Sequence, residues 1–232
     1  MGGADMRVTW LGQAGLLFDD GKTKIMIDPY FSDSVGTIDE SKHRRVKIKE
    51  RLYDIEPDFM VFTHDHLDHY DPETAQRFLG KGRSKKTVLS PFSVWKRVRA
   101  LGGDHNFVMF DRGTEWTCGD IRFRAIRANH SDPYAIGIII EKLSEKKLYY
   151  VTGDTLYNRE IFGELPQKID AVFLPINGSG NNMNATDAQR FAEGCKATVA
   201  VPYHYGMLDD LTAESFDFKN KIVFNIYEER EI

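Results

Sequence analysis

An α+β chain, with sheets covered by helices, is what this sequence predicts. Three observations carry that expectation. Short apolar or alternating segments outnumber helical ones by about three to one, the helical segments are spaced among them, and the composition is that of an ordinary globular chain. Of 232 residues, 41% are hydrophobic, 12% aromatic and 28% charged. A chain of this size buries roughly 70% of its unfolded surface, so its core needs no disulfide staples. No tandem repeat, low-complexity tract or Gly/Ser linker marks a boundary, and residues 1–232 are expected as a single domain.

The strands begin at once. Val8 to Leu11 and Leu16 to Asp19 read as a pair, and Asp20-Gly21 supplies a turn before Lys24 to Ile27. Phe59 to Thr63 is apolar almost throughout, as expected for a strand buried on both faces. Asp71-Pro72-Glu73-Thr74 then gives an N-cap, a proline at the first helical position and an acidic first turn, ahead of Ala75, Phe78 and Leu79. Ser90-Pro91 opens a second helix through Val94, Trp95 and Val98, which Gly102-Gly103 stops. Asn184 caps a third, carrying Ala188, Phe191 and Ala192. Further strands are expected at Ile121 to Ile126, Tyr134 to Ile140, Leu148 to Thr152, Val172 to Leu174, Val199 to Val201 and Ile222 to Ile226.

Charge and cysteine content narrow the classes. The 31 basic and 35 acidic residues give a net charge of -4, which counts against a protein devoted to nucleic acid. The most apolar stretch, Tyr134 to Ile140, falls well short of the ~18 residues of a membrane helix, so no membrane partner is expected. Met1 to Asp5 carries neither a basic nor an apolar leader pattern, and position 6 is Met rather than the Ser/Thr of a myristoylation signal. With only Cys118 and Cys195, a reducing cytoplasmic setting is expected, both thiols serving as small buried hydrophobes.

Chemistry concentrates in Thr63-His64-Asp65-His66-Leu67-Asp68-His69. Three of the chain's seven histidines fall within six residues there. Neutral imidazoles and a carboxylate are the ligand set of borderline divalent metals. At a strand end His64 and His66 project to one side, because side chains alternate with period two. Asp68 and His69 follow in the turn before the helix and can point at a neighbouring position, so one segment offers donors for two adjacent ions. His130, Asp154 and His204 each sit at the tip of a strand, where loops hold functional groups on a rigid scaffold.

This ordered set resembles the metallo-β-lactamase superfamily. The segments Trp10-Leu11-Gly12-Gln13-Ala14-Gly15, Leu174-Pro175-Ile176-Asn177-Gly178 and Val201-Pro202-Tyr203-His204 look most like its L-ascorbate-6-phosphate lactonase branch and related metal-dependent hydrolases. The resemblance implies a four-layer αββα sandwich with a dinuclear site. It puts His64, His66 and His130 on one ion, Asp68, His69 and His204 on the other, and Asp154 between them. Two divalent cations are implied, Zn or Mn first and Fe as a further option. A hydroxide held between them would attack a carbonyl or phosphoryl centre of a small anionic substrate, with Asp68 orienting it and carrying its proton. Alternative activities of the same core are an RNA-cleaving phosphodiesterase and a di-iron module reducing dioxygen.

Other residues have two readings. Asn177 and Asn184 bracket a Gly/Asn-rich stretch that either faces substrate, with Asn177 catalytic, or is a turn ending in a helix cap. Asp28 is either an acceptor for a ligand-histidine N–H or a turn-forming Asp-Pro. The run Ser41 to Arg51 holds six Lys/Arg in eleven residues, a solvated face or a lid attracting an anion. His43 and His105 are expected at the surface. The oligomeric state is not legible.

Overall fold

A computed structural model describes residues 6–232; the leader reading made at Met1 to Asp5 lies outside them. In chain order the elements are β1 (Arg7–Gly12), β2 (Gly15–Asp19), β3 (Lys24–Ile27), β4 (Phe59–Val61), α1 (Pro72–Leu79), β5 (Thr87–Ser90), α2 (Phe92–Arg99), β6 (Asn106–Met109), β7 (Glu115–Cys118), β8 (Ile121–Arg127), β9 (Ile136–Lys142), β10 (Lys147–Val151), β11 (Ile169–Pro175), α3 (Ala185–Gly194), β12 (Ala197–Tyr203) and β13 (Glu229–Glu231). They divide into two compact units. The first runs to Met109 and adds Gly206–Asp210 and Asn225–Ile232; the second holds Phe110–Tyr205 and Leu211–Phe224.

The first unit is built on a seven-stranded sheet of order β13-β1-β2-β3-β4-β5-β6. Its antiparallel end, β1 to β3, gives way to parallel pairing from β3 through β6. Every residue of β4 is buried, as its unbroken apolar sequence requires of a strand with neighbours on both sides. Met26, Met60 and Val88 line one face and pack with Phe78 and Leu79 of α1 and Val94 and Val98 of α2. Each such side chain contributes about 1.5–3 kcal/mol. Helix α1 starts as read: the Asp71 carboxylate accepts from Glu73 N–H and Thr74 N–H, and Pro72 occupies the first turn. Ser90 ends β5, so Pro91 rather than a serine cap opens α2.

The second unit holds a six-stranded sheet, β12-β11-β10-β9-β8-β7. Strands β10, β11 and β12 are parallel, while β9 runs against both β8 and β10. Phe191 of α3 is fully buried, 5.1 Å from Phe162 and 6.3 Å from Tyr150 between ring centroids. Burial pushes the Cys195 thiol well above its ordinary range.

Several expectations are corrected. Ile222 to Ile226 is not a strand. Only Ala200 and Lys221 bridge there, with Ile222 N–H on Ala200 O, before the chain turns at Asn225–Glu228. Strand β9 starts at Ile136, because the Asp132 carboxylate and carbonyl capture the N–H groups of Tyr134 and Ala135 in a turn. Strands β5, β6, β7 and β13 add to those read from the sequence; β13 is wholly exposed, and its charges hid it. Cys118 is exposed rather than buried, since it ends an edge strand.

His105 is buried, not a surface residue. Its Nδ1 accepts from Lys86 N–H at 3.2 Å and its Nε2 donates to Leu79 O at 3.1 Å. Those bonds suit the neutral ring, and burial, aided by the Lys86 charge, holds its pKa below the usual histidine range. The unfolded chain therefore takes up this proton first, near pH 6.5. The stability contributed by His105 is complete above that pH and declines below it, down to the folded-state pKa. His105→Gln should cost about 2 kcal/mol at pH 7.5, and its unfolding curve should lose less stability than wild type between pH 7 and 5.5. Equal acid sensitivity would refute this assignment.

Candidate metal centre

Strand β4 delivers Thr63 and His64 to the carboxyl edge of the first sheet, both with no exposed surface. The chain then makes one tight turn in which the N–H groups of His69 and Tyr70 both donate to His66 O, at 3.1 and 2.8 Å. That turn gathers the donors. The His64 ring centroid lies 4.7 Å from that of His66 and 3.9 Å from that of His69. Ligand atoms of His64 and His66, of His64 and His69, and of Asp68 and His69 fall within 4.8 Å of one another.

Asp28, just past β3 on the same edge, organises this loop. It is buried and left-handed, φ 43°, a region aspartate tolerates better than most residues. One carboxylate oxygen accepts from Thr63 N–H at 2.8 Å; the other accepts from the Thr63 hydroxyl at 2.5 Å and from His69 Nδ1 at 2.8 Å. The hydroxyl, its proton given to Asp28, accepts from His64 Nδ1 at 3.1 Å. This bonding assigns both rings the Nδ1–H tautomer, which leaves Nε2 as the ligand atom. Of the two readings of Asp28, the acceptor is the one the structure bears out.

Gln13 was not singled out from the sequence. It lies in the turn between β1 and β2, at φ 48° and buried, where its Nε2 donates to Asp68 Oδ2 at 2.9 Å. Trp10 Nε1 fixes the turn by donating to Gln13 O. The available signal was a lone amide side chain in the Gly-Gln-Ala-Gly turn between two apolar strands.

The second unit brings its own candidates to one edge. Asp154 follows β10, Asn177 follows β11 and His204 follows β12, all parallel, and His130 follows β8, which runs the same way. Asp154 and His204 are buried with carboxylate and imidazole 3.3 Å apart. His204 is left-handed, φ 62°, which turns it back onto the strand end. The Thr155 hydroxyl accepts from Asn129 N–H at 2.9 Å, and Asn182 Oδ1 accepts from Thr155 N–H at 3.0 Å. His130 Nδ1 lies 3.4 Å from Asn181 O, the acceptor for its proton. Asn177 Nδ2 donates to Ser179 while its Oδ1 is buried without a partner. Asn184 is the helix cap of its two readings, accepting from Asp187 N–H at 2.9 Å.

The basic run is less free than a solvated face. Arg44 is half-buried, donating to Tyr30 O at 2.6 Å and the Tyr227 hydroxyl at 3.1 Å, and Arg45 pairs with Asp210 at 2.9 Å. Lys42, Lys47 and Arg51 are exposed, as is His43.

Histidine and aspartate donors on loops at the carboxyl edges of mixed sheets define an α+β protein built to hold metal. The chain belongs to the beta-lactamase superfamily, whose domain model matches residues 23–205, a stretch containing all seven donors. It is 31% identical over 213 residues to a UPF0173 protein of Pyrococcus furiosus, covering 91% of this chain and 89% of that one. A UPF0173 metal-dependent hydrolase of Thermoplasma volcanium is 26% identical over 225 residues, with 93% and 91% covered. Igni18, a metallo hydrolase of Ignicoccus hospitalis, matches in structure with a TM-score of 0.77 over 99% of both chains, at 20% identity. That likeness shows the fold, the metallo-β-lactamase α+β fold. Among the described residues, no helix is long and apolar enough to cross a membrane.

Proposed function

We propose that this chain is a metal-dependent hydrolase that holds two divalent cations and opens a lactone or other ester of a small anionic molecule. The observation that carries the reading is the Asp28–Thr63 network, which ties down the Nδ1 protons of two adjacent buried histidines and aims both Nε2 atoms as ligands. The donor chemistry fits Zn or Mn, with Fe as a further option. His64, His66 and His130 would hold one cation and Asp68, His69 and His204 the other, Asp154 being shared. Bound there, the cations would supply a Lewis acid for the attacked oxygen and a water acidic enough to ionise near neutral pH.

The chain's own residues do the rest. Asp68, held by Gln13, orients the attacking water and carries its proton to the leaving group. Asn177 would offer the substrate the amide N–H that Ser179 leaves over, and Lys42, Lys47 and Arg51 would draw the anion in. The setting is the reducing cytoplasm, which two unbridged cysteines support.

Elemental analysis of natively purified protein, followed by a panel of lactones, aryl esters and phosphodiesters with and without chelator, tests this. The expected result is about two metal ions per chain and chelator-sensitive turnover that is fastest on lactones or esters. Chelator-resistant turnover, or none on the whole panel, would sink it. Cleavage of RNA alone, or oxygen consumption by an iron-loaded sample, would replace it with one of the alternative activities.

A further inference from the structure

The chain's net charge conceals a segregated stretch. From Thr74 to Gly103 there are eight Lys/Arg and no Asp/Glu, which leaves 23 basic against 35 acidic residues elsewhere. At the chain's average acid content, four or five acids would be expected in 30 residues. Three of the eight cations are engaged: Lys86 with Glu56, Lys85 with Asp104, and Arg97 with Asp65 O. The other five, Arg77, Lys81, Arg83, Lys96 and Arg99, are all exposed.

They gather at one place in the first unit. Arg77 lies in the last turn of α1, Lys96 and Arg99 in the last turn of α2, and Lys81 and Arg83 in the loop leaving α1. A bridge between Gly80 and Gly102 joins the two helix ends, and the Lys81 side chain runs against Gly102. Two helix C-termini favour a cation or two, at about 0.3–1 kcal/mol each; five exceed that need. Half-buried rings interleave with them: Arg77 lies over Tyr53, Lys96 over Phe92 and Arg99 over Trp95, at 4.1 to 4.5 Å.

We propose that this face docks the phosphate backbone of a nucleic acid. Spaced cations beside aromatic rings are the chemistry that holds phosphates and stacks bases. A lipid surface fits less well, because the large exposed hydrophobic side chains, Ile38, Met109, Tyr134, Leu156, Leu211 and Val223, all lie outside residues 74–103. The α1 half of this face stands apart from the histidine loop, while the α2 half borders it, since Arg97, between Lys96 and Arg99, donates to Asp65 O. Helix α1 starts three residues after His69 and carries its far end away by eight residues, roughly 12 Å. Docking here positions the protein on a polyanion and does not rest on the hydrolase reading.

Fluorescence anisotropy of the full chain with labelled 20-nucleotide RNA and 20-base-pair DNA tests it. With about four phosphate contacts, duplex affinity should fall on the order of 100-fold between 50 and 200 mM salt. The Lys81→Gln/Arg83→Gln/Lys96→Gln/Arg99→Gln variant should bind at least tenfold more weakly, with a flatter salt slope and an unchanged melting curve. If that variant loses its fold, the two pairs Lys81→Gln/Arg83→Gln and Lys96→Gln/Arg99→Gln, each expected to bind more weakly, take its place. Absence of salt-dependent binding, undiminished binding by folded variants, or binding to phosphatidylserine vesicles in place of either nucleic acid would overturn the proposal.

Discussion

Asp68→Ala should slow hydrolysis by about 10²- to 10⁴-fold, the range for removing a positioned proton carrier, while the unfolding curve moves by about 1 kcal/mol or less. The asymmetry follows from its surroundings. The Asp68 carboxylate is only partly buried, and its loss removes one acceptor, that of Gln13 Nε2. What it removes is the group next to the imidazole of His69. Gln13→Ala should act in the same direction and more weakly, because the carboxylate stays but its orientation is loosened. Turnover, metal content and melting measured on the same preparations separate these effects. An Asp68→Ala protein that keeps its metal and full turnover would show the carboxylate to be idle.

Asp28→Ala has the second large effect, and on different readouts. Two donors of Thr63 and one of His69 lose their common acceptor in a fully buried place. Unsatisfied buried donors cost about 1–3 kcal/mol each, and partial relaxation brings the expected total to about 3–5 kcal/mol. Metal affinity should fall about 10- to 100-fold, because nothing then holds the His69 proton on Nδ1. Asp28→Asn sharpens the test. It keeps an acceptor for Thr63 N–H but presents an amide N–H2 to His69, so affinity should fall with a smaller loss of stability. Denaturant unfolding and competition against a chelating dye give the two numbers. Undiminished affinity in Asp28→Asn would remove the tautomer argument.

The donor loop was legible because its chemistry is local: His64 through His69 sit within one turn, and a strand end before a capped helix leaves them little freedom. Asp71-Pro72 was equally readable, since cap and proline act on their own backbone. Gln13 was not, because its role exists only where β1 and β2 turn back beside a loop 55 positions away. Nor was the fate of His105 or Arg44, each decided by distant carbonyls, Leu79 and Tyr30, that spacing does not reveal. Edge strands such as β6 and β13 lack a buried face of their own, so no alternation announces them. The segregated cations of residues 74–103 are plain in the sequence and vanish only when charge is summed over the chain.

The ladder of β10, β11 and β12 is fixed by pairs such as Val172 with Tyr150 and Ala200, while Gly178, Ser179 and Gly180, just beyond β11, are exposed. Gly178 and Gly180 hold left-handed φ of 65°, and Gly178 N–H donates to Met183 O, so both glycines belong to the backbone's design. A laboratory-evolution library that varies Ser179 and keeps its two flanking glycines would diversify what borders Asn177 and leave strand pairing untouched.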